Sequence, residues 1–131
     1  MLPLSDYLYD LLVARHEGAV SPFVFPGQEP NASLKEPRPQ MRKVTDRSGV
    51  EFTLHDLRRT FITIAEGLDI SAYAIKRLVN HKMHQDVTAG YIISDLERLR
   101  QPMQRITDLI LQKAGVISTD NVVPLRPNQH N

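Results

Sequence analysis

Apolar residues recur at steps of three and four along most of this chain, which is the spacing of amphipathic helices. The first such stretch predicts a helix over residues 6–16, with Ser5 as its cap and Gly18 just beyond its end. Its apolar positions are Tyr7, Leu8, Leu11 and Leu12. Because later stretches repeat the same spacing, we expect a mainly α-helical fold.

A proline-rich segment interrupts this pattern. Five of the nine prolines fall between residues 22 and 39, and this density predicts a loop between two helical regions. Within it, Phe23-Val24-Phe25 is expected to form no more than a short buried extended stretch. A short basic helix is then predicted over residues 40–46, ending at Ser48-Gly49.

The clearest helix start is Thr53-Leu54-His55-Asp56, which fits a capping box. The Thr53 hydroxyl can accept from early backbone amides, and the Asp56 carboxylate lies in the positive first turn. A helix is therefore predicted from residue 54 to about residue 67, with Gly67 as its C-cap. Its predicted core stripe consists of Leu54, Leu57, Phe61, Ile64 and Leu68.

Further helices are predicted in the second half of the chain. One spans residues 71–80, with Ile75, Leu78 and Val79 buried and Lys76 and Arg77 facing outward. A polar turn over residues 81–86 then leads to a short helix capped by Asp86 and ending at Tyr91.

The last predicted helix opens with a second capping box, Ser94-Asp95-Leu96-Glu97. Pro102 lies inside this helix and predicts a kink or a break. Its apolar stripe is Leu96, Leu99, Met103, Ile106 and Ile110.

Composition narrows the possible classes of protein. The 131 residues, with 41% hydrophobic and 24% charged side chains, suit one globular domain. The absence of cysteine excludes disulfides, thiolate nucleophiles and cysteine zinc sites. No membrane span or secretory signal is evident, so a cytoplasmic location is expected. Because the net charge is only +1, any nucleic-acid role must rest on local placement of charge.

His55 and Arg58 are candidates for chemistry, because they stand three residues apart on one helix and share a face bordering the predicted core. A guanidinium can hold a phosphate by two hydrogen bonds while an imidazole donates or accepts a proton. Alternatively, Arg58 pairs with a carboxylate and His55 satisfies a helix end. On the spacing alone, this structural interpretation is the commoner one.

The order of three segments adds to this picture: His55-Asp56-Leu57-Arg58, then Leu78-Val79-Asn80-His81, then Thr88-Ala89-Gly90-Tyr91. Together they resemble the C-terminal signature of the tyrosine recombinases, the phage-integrase family. That signature is a His-x-x-Arg box opening a helix, a Leu-x-x-His box after the next helix, and a tyrosine about ten residues further on. Asn80 stands where many members have glycine. The resemblance covers residues 2–115.

The resemblance implies Tyr91 as nucleophile, Arg58 as a phosphate-binding arginine, and His55 and His81 as partners of the scissile phosphate. A free phenol has a pKa near 10, so attack at neutral pH needs cationic and hydrogen-bonding neighbours. Those donors would also stabilise charge on the phosphoryl oxygens. Strand cleavage through a 3′-phosphotyrosine and rejoining then require neither a metal nor another cofactor.

The family also uses an arginine from an earlier box and a lysine on a β-hairpin, and neither can be placed in this chain. We therefore expect the helical C-terminal portion of a catalytic domain, with the small β-sheet mostly missing, as part of a longer integrase. Alone, this portion is expected to be inactive. The alternative function is a non-catalytic helical DNA-binding or regulatory module.

Double-stranded DNA is the partner that the resemblance implies, together with other protomers in a tetramer on DNA. Between residues 35 and 59, seven basic residues outnumber four acidic ones. A solvated loop and helix would explain this excess, but beside the motifs it favours phosphate contacts by Arg42, Lys43 and Arg47.

Other residues offer competing interpretations. His55, His81 and His84 could be imagined as a metal set, but no carboxylate or cysteine signature accompanies them. Tyr73 could rival Tyr91 as nucleophile, but its place on the first turn of an amphipathic helix indicates packing. We therefore predict no metal site and keep Tyr91 as the nucleophile.

The chain is expected to divide into a catalytic portion over residues 1–115 and a tail over residues 116–131. The tail is polar except for Val122-Val123-Pro124-Leu125. It is expected either to be flexible, as chain ends commonly are, or to dock on a neighbouring protomer.

Overall fold

The computed structural model describes residues 1–29, 31–80 and 92–118. This part of the chain contains α-helices and no strand, so the prediction of a mainly helical fold is confirmed. An isolated antiparallel bridge joins Pro26 and Ser33. The five helices are α1 (Asp6–Glu17), α2 (Arg38–Ser48), α3 (Leu54–Gly67), α4 (Ala72–Leu78) and α5 (Ile92–Lys113).

Helices α3, α4 and α5 form the hydrophobic core, whereas α1 and α2 have no buried residue. Phe61, Ile62, Ile64 and Leu68 pack against the core from α3 and the turn after it. The buried residues of the core are Ala65, Ile70, Ala74, Ile75, Leu78, Leu99, Met103 and Ile106. The core therefore lies beside the second half of α3.

Helix α1 has the predicted bounds to within one residue and follows Ser5 as predicted, but the Ser5 side chain does not cap it. The Ser5 side chain makes no capping hydrogen bond, and it is 1% exposed. The side chain of Gln104, from α5, instead accepts a hydrogen bond from the backbone N–H of Asp6 at 2.9 Å. Ser5 is therefore the N-cap residue, as predicted, but its buried hydroxyl makes no capping hydrogen bond, and a distant side chain binds the first backbone N–H of the helix.

The Phe23-Val24-Phe25 segment is exposed, so the prediction that it is buried is wrong. Arg15 holds it at the surface: its Nε donates to the carbonyl oxygen of Val24 at 2.5 Å, and its guanidinium lies 5.4 Å from the centroid of the Phe25 ring. A cation over an aromatic face gives this segment a partner other than the core.

The predicted basic helix exists as α2, but it begins two residues earlier than expected, at Arg38. Pro39 lies in its first turn, where a missing backbone N–H costs nothing. Gly49 ends the helix with a φ of 71°, and its N–H bonds to the carbonyl oxygen of Thr45. The Ser48-Gly49 end is confirmed.

Helix α3 has its predicted bounds but a different C-terminal cap. The cap residue is Leu68, and Asp69 rather than glycine takes the left-handed conformation, with a φ of 55°. The N–H groups of Asp69 and Ile70 bond back to the carbonyl oxygens of Glu66 and Ala65, the pattern of a Schellman motif. The buried Ile70 anchors this turn, so the prediction that Gly67 is the C-cap is wrong.

Helix α4 keeps two of its three predicted core residues, since Ile75 and Leu78 are buried and Val79 is half-buried. Lys76 is exposed as predicted, but Arg77 is half-buried. The predicted short helix between Asp86 and Tyr91 lies outside the described residues.

Helix α5 begins at Ile92, so the prediction that Ser94 caps it is wrong. It continues through Pro102, which rules out a break at that residue. Proline removes one backbone hydrogen bond, while Leu99 and Met103 are buried on either side of it and hold both halves against the core. Ile106 is also buried, Leu96 is half-buried and Ile110 is exposed.

Candidate active site and DNA-binding surface

The first turn of α3 positions His55 and Arg58. The Thr53 Oγ1 accepts from the backbone N–H of Asp56 at 3.1 Å, and the Asp56 Oδ2 accepts from the backbone N–H of Thr53 at 2.9 Å. The Thr53 hydroxyl also donates to Asp56 Oδ2 at 2.7 Å. The predicted capping box is confirmed, and it fixes the start of the helix on which both candidates lie.

These hydrogen bonds lower the pKa of Asp56 from its ordinary value of 3.8. The hydrogen bond from the Thr53 side chain is the largest cause, followed by the Thr53 backbone N–H, and the positive charges of Arg59 and His55 contribute less. The carboxylate is therefore ionised at neutral pH, one residue away from His55.

The side chains of His55 and Arg58 are both exposed. Neither forms a hydrogen bond or an ion pair with another residue in the described part of the chain. The alternative in which Arg58 pairs with a carboxylate and His55 satisfies a helix end therefore gains no support there. The cap of α3 comes from Thr53 and Asp56 instead.

Arg58 lies on the side of α3 that enters the core one turn later. Ile62 and Ala65 follow it at steps of four and seven residues, and Ala65 is fully buried. His55 and Arg58 lie on the face of α3 that borders the core, as expected. Their side chains, however, are exposed rather than buried. Leu54 and Leu57, predicted as core residues, are 56% and 51% exposed, so that part of the prediction is wrong.

A groove of about 670 Å³ separates α2 from the start of α3. It brings together Arg42, a predicted DNA-binding residue, and His55, a predicted catalytic residue. Arg58 is not among the lining residues. The groove is lined by Glu36, Pro37, Arg38, Met41, Arg42, Thr45, Phe52, Thr53, Leu54 and His55.

The three predicted DNA-binding cations are divided between two sides of α2. Arg42 faces the groove with Met41 and Thr45, at helical spacing. Lys43 and Arg47 are four residues apart on another side of the helix, and both are exposed. Arg38, which is not among the predicted DNA-binding residues, also lines the groove. Its spacing of four residues from Arg42 was the signal that could have identified it.

The end of α4 explains why Asn80 can stand where many tyrosine recombinases have glycine. Asn80 has a φ of 51°, and its N–H bonds to the carbonyl oxygen of Arg77. Glycine adopts this left-handed conformation most readily, and asparagine tolerates it better than most other residues. His81 and Tyr91, the other two predicted catalytic residues, lie outside the described residues.

Among the described residues, no three His, Asp or Glu side chains are arranged to hold a metal ion. His81 and His84 lie outside that part of the chain, so this observation leaves the three-histidine alternative untested. None of the helices in the described part combines the length and hydropathy that a membrane span requires.

Comparison with known proteins relates this chain to an integrase. It is 26% identical over 128 residues to the prophage integrase IntF of Escherichia coli (strain K12). The similar region covers 93% of this chain, and the chain spans 28% of the length of that relative. No family model matches the chain. No solved structure matches it significantly. The similarity to the prophage integrase confirms the resemblance seen in the motifs, as a distant relationship to the phage integrases.

Proposed function

We propose that this chain takes part in site-specific DNA recombination as the C-terminal portion of a longer integrase. The observation that carries the proposal is the start of α3, where a capping box presents exposed His55 and Arg58 beside a groove lined by Arg42. The similarity to a prophage integrase supports the same reading. The substrate is double-stranded DNA, and the recombining assembly contains other protomers, in a tetramer on DNA.

In the proposed reaction, the phenolic oxygen of Tyr91 attacks the phosphorus of a backbone phosphodiester. The phenol gives its proton to a base, and a 3′-phosphotyrosine bond forms. The bond from phosphorus to the 5′ oxygen breaks, and that oxygen takes up a proton from an acid and leaves as a 5′-hydroxyl. Attack by the 5′-hydroxyl of another strand reverses these steps and frees the tyrosine. The phosphoester energy is conserved throughout, so no nucleotide cofactor is consumed.

Arg58, His55 and His81 act on the phosphate in this proposal. The Arg58 guanidinium binds two non-bridging oxygens, and the imidazoles of His55 and His81 donate hydrogen bonds or transfer protons. Because charge accumulates on these oxygens in the transition state, such donors accelerate cleavage. The exposure of His55 and Arg58 supports this role, since both side chains are accessible to DNA.

Arg42, Lys43 and Arg47 bind backbone phosphates away from the scissile bond. Contacts of this kind fix the position of the duplex without reading its sequence. Their distribution over two sides of α2 supports contacts to more than one phosphate.

Covalent trapping on a nicked DNA substrate in the full-length integrase tests the proposal. Tyr91→Phe should abolish the protein–DNA adduct while leaving DNA binding nearly unchanged, because only the nucleophilic oxygen is lost. Tyr73→Phe is the matched control, since it removes a phenolic hydroxyl from α4 and should leave the adduct intact. An adduct that persists in Tyr91→Phe overturns the assignment. DNA binding without any adduct in the wild type favours the non-catalytic DNA-binding module.

Arg58→Lys tests the phosphate contact separately. Lysine keeps the positive charge but cannot form the two-pronged contact of a guanidinium, so adduct formation should fall severely. Near-normal cleavage by this variant would give Arg58 a structural role.

A further inference from the structure

Glu36 and Arg38 form a local ion pair at the start of α2. The Glu36 Oε1 accepts a hydrogen bond from the backbone N–H of Arg38 at 3.0 Å and lies 3.4 Å from the Nε of the same arginine. The Glu36 and Arg38 side chains are 54% and 87% exposed. Both residues line the groove that also contains Arg42 and His55.

In this arrangement, a backbone amide and a guanidinium together bind one anion, the Glu36 carboxylate. A phosphate oxygen is held by the same two kinds of donor. The carboxylate is part of the chain itself, and the pair is exposed, so water and salt weaken its attraction. A DNA phosphodiester carries the same single negative charge as the carboxylate, but its neighbours along the strand add to the negative potential around it. A DNA phosphate can therefore replace the carboxylate.

We propose that Arg38 is a further binding residue for the DNA backbone and that Glu36 competes with DNA for it. Without DNA, the Glu36 carboxylate occupies the position that a phosphate oxygen takes in the complex. On binding, the carboxylate moves into solvent and the guanidinium turns to the phosphate. This inference rests on the proposed function, because it assumes that the groove between α2 and α3 faces duplex DNA.

The spacing of the groove arginines supports contact with a continuous backbone. Arg38 and Arg42 are four residues apart on one side of α2, about 6 Å along the helix axis. Each strand of B-DNA carries a phosphate about every 3.4 Å along its axis, so two such cations can serve nearby phosphates. Glu36 is the acidic residue among the side chains that line this groove, which makes it the competitor within the surface.

Fluorescence anisotropy tests the inference. The affinity of the 131-residue chain for a labelled duplex is measured over a series of salt concentrations. Arg38→Gln should weaken binding about threefold to tenfold and should reduce the slope of log affinity against log salt by about 0.9, the loss of one phosphate contact. Glu36→Gln should tighten binding about twofold to fivefold, because it frees the guanidinium. That gain should disappear when Arg38→Gln is also present.

Glu97 and Arg100 on α5 provide a matched control. The Arg100 Nε lies 3.0 Å from both carboxylate oxygens of Glu97, and this exposed pair is not part of the groove. Glu97→Gln makes the same change in net charge as Glu36→Gln and should leave the affinity nearly unchanged. If both variants gain the same affinity for DNA, the change in net charge alone explains the effect of Glu36→Gln, and the inference is overturned.

Two results separate the inference from the proposed function. If Arg42→Gln weakens binding but Arg38→Gln does not, the inference fails and the DNA-binding surface stands. If the wild-type chain does not bind duplex DNA at low salt, the DNA contact itself fails and the inference fails with it. Arg38→Lys, which retains the charge, should bind between the wild type and Arg38→Gln.

Discussion

The two halves of α3 carry the same amphipathic pattern but lie in different surroundings. In the second half, Phe61, Ile62 and Ile64 pack against the core and Ala65 is fully buried. In the first half, Leu54 and Leu57 are more than half exposed. The difference arises because α4 and α5 lie opposite the second half, where the core residues of all three helices meet.

This division shows how the molecule holds its candidate catalytic residues. The second half of α3 is anchored in the core, whereas the first half carries His55 and Arg58 into solvent on the same continuous helix. A side chain on a rigid element is positioned more precisely than one on a loop. The capping box, rather than packing, then determines where the exposed half begins.

The largest expected effect separates the two halves by their packing. Ile106→Ala removes a fully buried side chain of α5 from the core against which the second half of α3 packs, and it should lower the free energy of unfolding by about 2–5 kcal/mol. Leu57→Ala, in the exposed half of α3, should cost less than about 1 kcal/mol. Urea denaturation of both variants measures the difference. A similar loss in both would mean that Leu57, in the first half of α3, is packed as tightly as a residue of the core.

The helix bounds of α3 could be predicted because the determinants are local. The capping box is a signal of four residues, and its two reciprocal hydrogen bonds form within the first turn. The burial of Leu54 and Leu57 could not be predicted in the same way. A stripe of apolar residues shows which side of a helix can be buried, but the helices opposite it decide how far along the burial extends.

Other errors have the same origin in contacts between distant residues. Ser5 occupies the N-cap of α1, yet its hydroxyl makes no capping hydrogen bond. The Asp6 N–H instead donates to the side chain of Gln104, 98 residues further along the chain. Pro102 suggested a break, but buried residues on both sides keep α5 continuous. In the candidate site, the motif predicted His55 and Arg58, whereas the place of Arg38 in the groove depends on how α2 lies beside α3.

A smaller effect is expected at the end of α4, which belongs to the packed region. Asn80 has a φ of 51°, so Asn80→Val should destabilise the protein by about 1–2 kcal/mol because a β-branched side chain disfavours the left-handed conformation. Asn80→Gly should be neutral or slightly stabilising. Thermal unfolding of the two variants tests this. If Asn80→Val is as stable as Asn80→Gly, residue 80 does not adopt the left-handed conformation.

The next effect sharpens the contrast at the exposed half of α3. Thr53→Ala removes the side-chain partner of the Asp56 N–H and should cost about 1 kcal/mol of stability. Thr53→Ser keeps the hydroxyl and should retain most of it. Chemical denaturation gives the size of the loss, and circular dichroism reports any loss of helix. If Thr53→Ala has no effect, packing rather than the cap holds the start of α3.

The smallest expected effect is the pH dependence of the same cap. Because the pKa of Asp56 is lowered in the folded state, the unfolded state takes up the proton first as the pH falls. The stabilisation by the carboxylate is therefore fully present above its ordinary pKa of 3.8 and is lost as the pH falls through the lower pKa of the folded state. The stability difference between the wild type and Asp56→Asn should be constant from about pH 7 to about pH 5 and should shrink below about pH 4.

Thr53→Ala provides the internal control for this pH dependence. The hydrogen bond from the Thr53 hydroxyl is the largest cause of the lowered pKa. Asp56→Asn should therefore change the loss of stability at acidic pH less in a Thr53→Ala background than in the wild type. Unfolding of the four proteins in urea between neutral and acidic pH gives the comparison. If stability falls in the same way at acidic pH in the wild type and in Thr53→Ala, the pKa of Asp56 does not depend on the Thr53 hydroxyl. The exposed half of α3 would then need another source of order, and the packing of its second half would be the remaining one.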